Sequence, residues 1–215
     1  MLSLARRRVL AERIAIEDGQ ALTAYNARAA ERFRLRTQFG ALPYEGDIEH
    51  APIVLLVASP TDDPTAVPMD HGFQHRGWPL ALLHPDAPVR LRAIWHSRLA
   101  SLIDAFGAQH VANSVAALPL TPWASTDFDE SLRLPSRARM LDLAGAAANR
   151  GALLIVTGND ERWTESQEVA DLGCERRFHA RSWRALDVSM DNLGPTSWHA
   201  VCRRIETHHW SRLAI

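Results

Sequence analysis

Residues 53–59 read IVLLVAS, five branched apolar side chains followed by two small ones. Apolar and polar residues do not alternate, so both faces of the strand must be covered. That is the pattern of a strand inside a parallel sheet with helices above and below it. The run then opens into Pro60, Thr61, Asp62, Asp63 and Pro64. In open α/β sheets the loops beyond the carboxyl ends of the strands hold the ligand. The stretch therefore predicts a fold and the beginning of a site.

Working outward, ALLIVTGN (152–159) reads as a further core strand, VANSVAALPL (111–120) as one ending at Pro119, and RRFHARSW (176–183) as a weaker fourth. Between them VRLRAIWHSRLASLIDAFG (89–107) is an amphipathic helix stopped by Gly107. SRARMLDLAGAAANRG (136–151) is a second helix, with Ser136 as N-cap and Gly151 past its end. A closing helix starts at Thr196 or Ser197. Strands alternating with helices predict an α/β three-layer sandwich around a central, mainly parallel four-stranded sheet. Residues 2–36 read as helix, with EDGQ (17–20) interrupting it. The stretch from Ser59 to Pro88 is too long for an ordinary connection and implies a lid, a binding loop or short unrecognised elements. The expected organisation is an N-terminal helical extension over 1–41 and one α/β domain over 42–215.

The 215 residues carry a net charge of −1, with a pI near 6.8, so no global charge announces nucleic acid. All 24 basic residues are arginine. Arginine forks suit phosphates, but a GC-rich genome produces the same bias. The N-terminal arginines (Arg6, Arg7, Arg8, Arg13, Arg28, Arg32, Arg34, Arg36) make either a solvated helix face or a phosphate-binding arm. Two cysteines, Cys174 and Cys202, do not make a disulfide framework. With no signal-peptide pattern and no apolar run near ~20 residues, a cytoplasmic protein without a membrane partner is expected.

Three segments reach one rim of the predicted sheet: SPTDD (59–63), LTPWAS (120–125) and TGND (157–160). The chain has neither G-x-x-x-x-G-K-[ST] nor G-x-G-x-x-G, and VASPT lacks the G-x-S-x-G elbow of serine hydrolases. The histidines of DHGFQH (70–75) and THHW (207–210) lack metal-ligand spacing, so neither a metal site nor a cofactor is expected from them. Asp62 and Asp63 have three readings: activating water, holding magnesium, or lying in a solvated loop.

The segment PYEGDIEHAPIVLLVASPTDD (43–63) resembles the entry to the uracil-DNA glycosylase superfamily. There a G-(N/D)-x-x-A-x-(I/V) lead-in, here GDIEHAPIV (46–54) with one residue more before Ala51, precedes the first strand and a short catalytic loop. LPLTPWAS (118–125) is similar to the family's F-P-Y-x-S stretch. RLPSRARMLDLAGAAANRGALLIVTGNDERW (133–163) is similar to its L-P-S helix, third strand and following R-x-W. The resemblance runs collinearly over about 42–205. It implies a four-stranded parallel sheet between helices and a base flipped into a pocket at the strand ends.

On that resemblance the catalytic candidates are Ser59, Asp62 and Asp63, and the substrate-binding candidates are Pro60, Thr61, Trp123, Ser125, Asn159 and Asn192. Trp123 would stack on the base, and Asn192 would reach it from the late loop. The chain departs from the family pattern twice. Ser59 stands where an Asp or Asn is expected, and serine is a poor general base unaided. The late loop LDVSMDNLGPTSW (186–198) has no histidine before His199. Asp62 or Asp63 would then replace the carboxylate, and His199 the imidazole. The expected function is recognition of a nucleobase in DNA and, if the chain is an enzyme, cofactor-free hydrolysis of a base–sugar bond. The alternatives are a catalytically silent nucleic-acid or protein interaction module and a metal-dependent nucleoside or nucleotide hydrolase.

Overall fold

A computed structural model describes residues 2–60, 66–157, 160–181 and 187–213. Its centre is a sheet of β1 (Ile53–Val57), β2 (Val115–Pro119), β3 (Leu153–Val156) and β4 (Arg177–His179), in the order β2-β1-β3-β4. All pairings are parallel, with Ile53 level with Val115 on one side and Leu153 on the other.

β1 is central, and its uniform apolar character follows from its position. Val54 and Leu56 enter one core, whereas Ile53, Leu55 and Val57 enter the other. The first core is covered by α1 (Leu2–Asn26) and α5 (Arg137–Asn149). The second is covered by α3 (Val89–Phe106), α4 (Ala108–Ser114) and α9 (Pro195–Leu213). The fold is thus α/β, a four-stranded parallel sheet flanked by helices.

Several expectations change. α1 runs unbroken through EDGQ. A glycine in a helix costs about 1 kcal/mol against alanine, and tertiary packing outweighs it here. Ile14, Asp18 and Leu22, at four-residue spacing, are all buried on one face. The core they join contains β1, so the N-terminal segment packs on the same body as the sheet.

The expected strand over 111–120 is half helix. α4 occupies 108–114, and β2 begins only at Val115. A short apolar run does not separate a buried helical turn from a strand. Gly107, at φ 80, lets the chain end α3 and restart at once as α4. The stretch from Ser59 to Pro88 contains a helical turn, α2 (Pro68–His71), and a 3-10 turn over Ala81–Leu83.

The outer edge of β2 is covered by the lead-in segment. Glu45 N donates to Ala117 O and Ala117 N to Glu45 O, both at 2.9 Å. Gly46 makes this approach feasible. Its φ is +84, and a Cβ there would sit 2.7 Å from Val115 O. The glycine that opens the GDIEHAPIV lead-in therefore has a local physical reason.

Candidate functional site

The carboxyl rim is built by backbone bonds that prolong the ladder past the strands. Leu120 N donates to Val57 O (2.8 Å) and Thr121 N to Ala58 O (3.0 Å), joining the exits of β1 and β2. Thr157 N and Oγ1 both donate to Leu56 O, at 2.9 and 3.1 Å, tying the exit of β3 to β1. Ala180 N donates to Val156 O and Arg181 N to Asn192 O, which brings the late loop to the end of β4. The strand order reverses direction at β1 and β3, and the crevice between their carboxyl ends is where such sheets bind ligands.

Of the expected site residues, Ser59 is half-buried at the exit of β1 and Pro60 is buried beside it. Among the described residues no hydrogen bond joins Ser59 Oγ to a base. Thr61, Asp62, Asp63 and Asn159 lie outside the described residues.

Trp123 requires a correction. Its indole is 3 % exposed within the α1-side core, and its Nε1 donates to Asp18 Oδ2 at 2.7 Å. No ring face is left for a base to stack on. Ser125 is buried, with its hydroxyl donating to Asp127 O at 2.8 Å. Asn192 reaches the rim through its backbone, but its amide turns inward. Nδ2 donates to Asp187 O at 2.8 Å and Asp187 Oδ1 at 3.3 Å, while Ser189 Oγ accepts from Asn192 N. Its side chain holds the late loop together.

Residues not anticipated from the sequence line the ends of β1 and β2. A cavity of about 10 Å³, room for roughly one water, lies between Val57, Pro60, Pro119, Trp95 and Arg98. Trp95 is 2 % exposed, and its Nε1 has no hydrogen-bond partner among the described residues. The Arg98 guanidinium lies 5.4 Å from the Trp95 ring centroid. Burial lowers its pKa to about 10, so it still carries its charge at neutral pH.

Glu45 borders the same cavity, and burial pushes its carboxyl up. Arg7, at 3.0 Å, opposes that shift. A cation held at the strand ends favours negative charge developing there. The signal in the sequence was an arginine at position 98, on the buried stripe Leu91, Trp95, Leu102 of α3.

The other expected groups are spread out. Arg6, Arg8 and Arg34 form exposed ion pairs with Glu49, Glu12 and Glu31. His71 packs on Phe39 with ring centroids 4.4 Å apart, and His75 stacks on His84 at 3.6 Å. Among the described residues no three His, Cys, Asp or Glu side chains gather as a metal-ligand set, and no helix is long and apolar enough to cross a membrane.

The fold defines a class, an α/β protein with a parallel four-stranded sheet and a rim assembled from the exits of its strands. No family model, curated protein or solved structure matches the chain.

Proposed function

We propose that this chain is a nucleobase-recognising protein with a fold like that of uracil-DNA glycosylases, and that in active form it is a divergent DNA N-glycosylase acting without a cofactor. One observation carries the reading. The exits of β1, β2 and β3 and the late loop meet at one carboxyl rim, in the chain order the resemblance implies. Arg98 supports it, because a half-buried cation at the rim suits a phosphate or the charge that develops on a departing base. Among the described residues Ser59 has no base to take its proton; robust excision by the native chain that is lost in Asp62→Ala or Asp63→Ala would assign water activation to those carboxylates.

The inward engagement of Trp123, Ser125 and Asn192 favours a second reading, a catalytically silent interaction module of the same fold. A metal-dependent nucleoside or nucleotide hydrolase rests on Asp62 and Asp63 alone, and its activity would vanish on chelation.

The test is excision from uracil-containing single- and double-stranded DNA, beside binding at graded salt. Excision by the native chain should be very slow or undetectable, because a general base normally contributes about 10² to 10⁴ in rate. Ser59→Asp or Ser59→Asn should raise it only if the rest of the pocket still accepts a base. Binding should weaken with salt at a slope of about −0.7 per phosphate contact on single strands. Binding without excision by any variant selects the silent module. Absence of binding at low salt removes nucleic acid altogether.

A further inference from the structure

Away from the sheet rim, the carboxyl-terminal part of α1 and the segment 129–134 enclose a cleft of about 550 Å³. That is the size of a pocket for a drug-sized molecule rather than for a bare ion. Its apolar wall is made by Ala21, Ala24, Ala29, Phe33, Leu132 and Leu134, and the Arg32 guanidinium lies 4.6 Å from the centroid of the Phe33 ring, over one face of it. Its polar groups are Tyr25, Arg28, Asp129, Ser131 and Arg133.

The hydrogen bonds show which of these groups remain available. Asp129 is occupied: Tyr25 Oη donates to its Oδ2 at 2.8 Å, and Ser131 N and Oγ donate to its Oδ1 at 2.8 and 2.7 Å. Arg133 Nη1 donates to the carbonyls of Glu130 and Leu132, and among the described residues its Nε and Nη2 make no hydrogen bond. Arg28 is exposed and, among the described residues, is joined to no carboxylate. Arg162 adds positive field nearby: Ser131 chiefly, then Tyr25 and least of all Arg162 hold the Asp129 carboxyl down, and Arg162 repels Arg133. The cleft therefore offers apolar surface and cationic donors, with the one carboxylate of its lining already hydrogen-bonded.

We propose that this cleft binds a nucleotide unit, its phosphate held by Arg28 and Arg133 and its base lying against Phe33 and the alanine wall. A guanidinium fork matches phosphate oxygens, and a base stacked on an apolar or aromatic face needs no edge readout. The choice of a nucleotide over another organic phosphate rests on the proposed function; the anion site itself rests on the cleft. The unit is either a free mononucleotide or one nucleotide of a single strand.

The probes are dTMP, thymidine and fluorescein-labelled (dT)6, titrated at low salt against the full chain. Thymidine should bind at least about tenfold more weakly than dTMP, since a charge-assisted contact is worth ~1.5–3 kcal/mol. Arg28→Glu, at an exposed position, and Ala24→Trp, which fills the cleft, should each weaken dTMP and (dT)6 by about tenfold or more, with Tm unchanged. If Ala24→Trp does not fold, Arg28→Glu decides alone. (dT)6 binding at least about tenfold tighter than dTMP assigns the cleft to a strand, and equal affinities assign it to the free nucleotide.

Ser59→Trp, which obstructs the rim, separates the two readings. (dT)6 binding lost in Ser59→Trp but intact in both cleft variants overturns the cleft and leaves the rim standing. Binding lost only in the cleft variants establishes the cleft whether or not the rim excises a base. Failure of dTMP and (dT)6 to bind, or indifference to the cleft variants, overturns the proposal.

Discussion

Asp18 lies between Glu17 and Gly19, in a tetrapeptide whose local preferences speak against a helix. In the fold it is fully buried on α1 and accepts three hydrogen bonds, from Trp123 Nε1, Ser136 N and Ser136 Oγ, at 2.7, 2.9 and 2.7 Å. Ser136 stands at the start of α5 as an N-cap should, but its hydroxyl goes to Asp18 instead of its own helix. One carboxylate thus ties α1, the exit of β2 and the start of α5. Asp18→Ala should destabilise the protein by about 3–5 kcal/mol, because buried donors are left without an acceptor. Chemical denaturation measures this; a loss under ~1 kcal/mol would mean the network relaxes without it.

At the scale of elements, the arginine bias has a structural use that composition could not show. Arg150, just past α5, donates to Ala51 O and Ile48 O, both at 2.8 Å, locking that helix end to the lead-in of β1. Arg177 of β4 donates to Val169 O and Ala170 O at the end of α7 (Gln167–Ala170). Arg176 reaches Ala148 O, and Arg204 of α9 reaches Gly151 O. Where the carbonyl lies at a helix end, as at Ala148 and Ala170, the cationic donor adds a bond there and its charge is favourable beside the negative end of the helix dipole. A second clasp, between α1 and segment 129–134, depends on pH. Ser131 chiefly, with Tyr25 and Arg162, holds the Asp129 carboxyl below its ordinary 3.8. A depressed carboxyl stabilises the fold fully above that value, and the contribution fades as pH falls through the folded pKa. Asp129→Asn should therefore lower Tm at neutral pH, and the gap to the native protein should close in melts taken below pH 3.8. A gap independent of pH would assign the loss to packing alone.

For the whole molecule, the division at residue 41 does not mark a dispensable segment. Ile14, Leu22 and Leu35 lie in the same core as Val54, Leu118 and Leu154. Burial of each such side chain contributes about 1.5–3 kcal/mol, against a total stability of ~5–15 kcal/mol for a typical domain. A chain starting at residue 42 should lose cooperative unfolding and expose apolar surface, read by denaturation curves and dye binding. A sharp transition like that of the full chain would show that α1 is an accessory.

The sheet, α3 and α5 were legible in the amino-acid order because their signals are local. A strand buried on both faces must be apolar throughout, as residues 53–57 are, and glycines at 107 and 151 mark helix ends by their positive φ. The position of the rim followed from that topology, and so did the candidates at the exit of β1. The parts that the order did not disclose depend on partners far along the chain. Trp123 is committed to Asp18 across 105 residues, and Asp18 to Ser136 across 118. No local window contains those contacts, so a tryptophan after a strand reads equally as stacking platform or core, and EDGQ reads as a break. Arg98 and Glu45 come to border one small cavity only when α3 and the lead-in close over the ends and outer edge of β2. Apolar periodicity depends on each segment's own burial and is written in the segment; hydrogen-bond partnership and desolvation depend on which segments meet, and folding alone decides that.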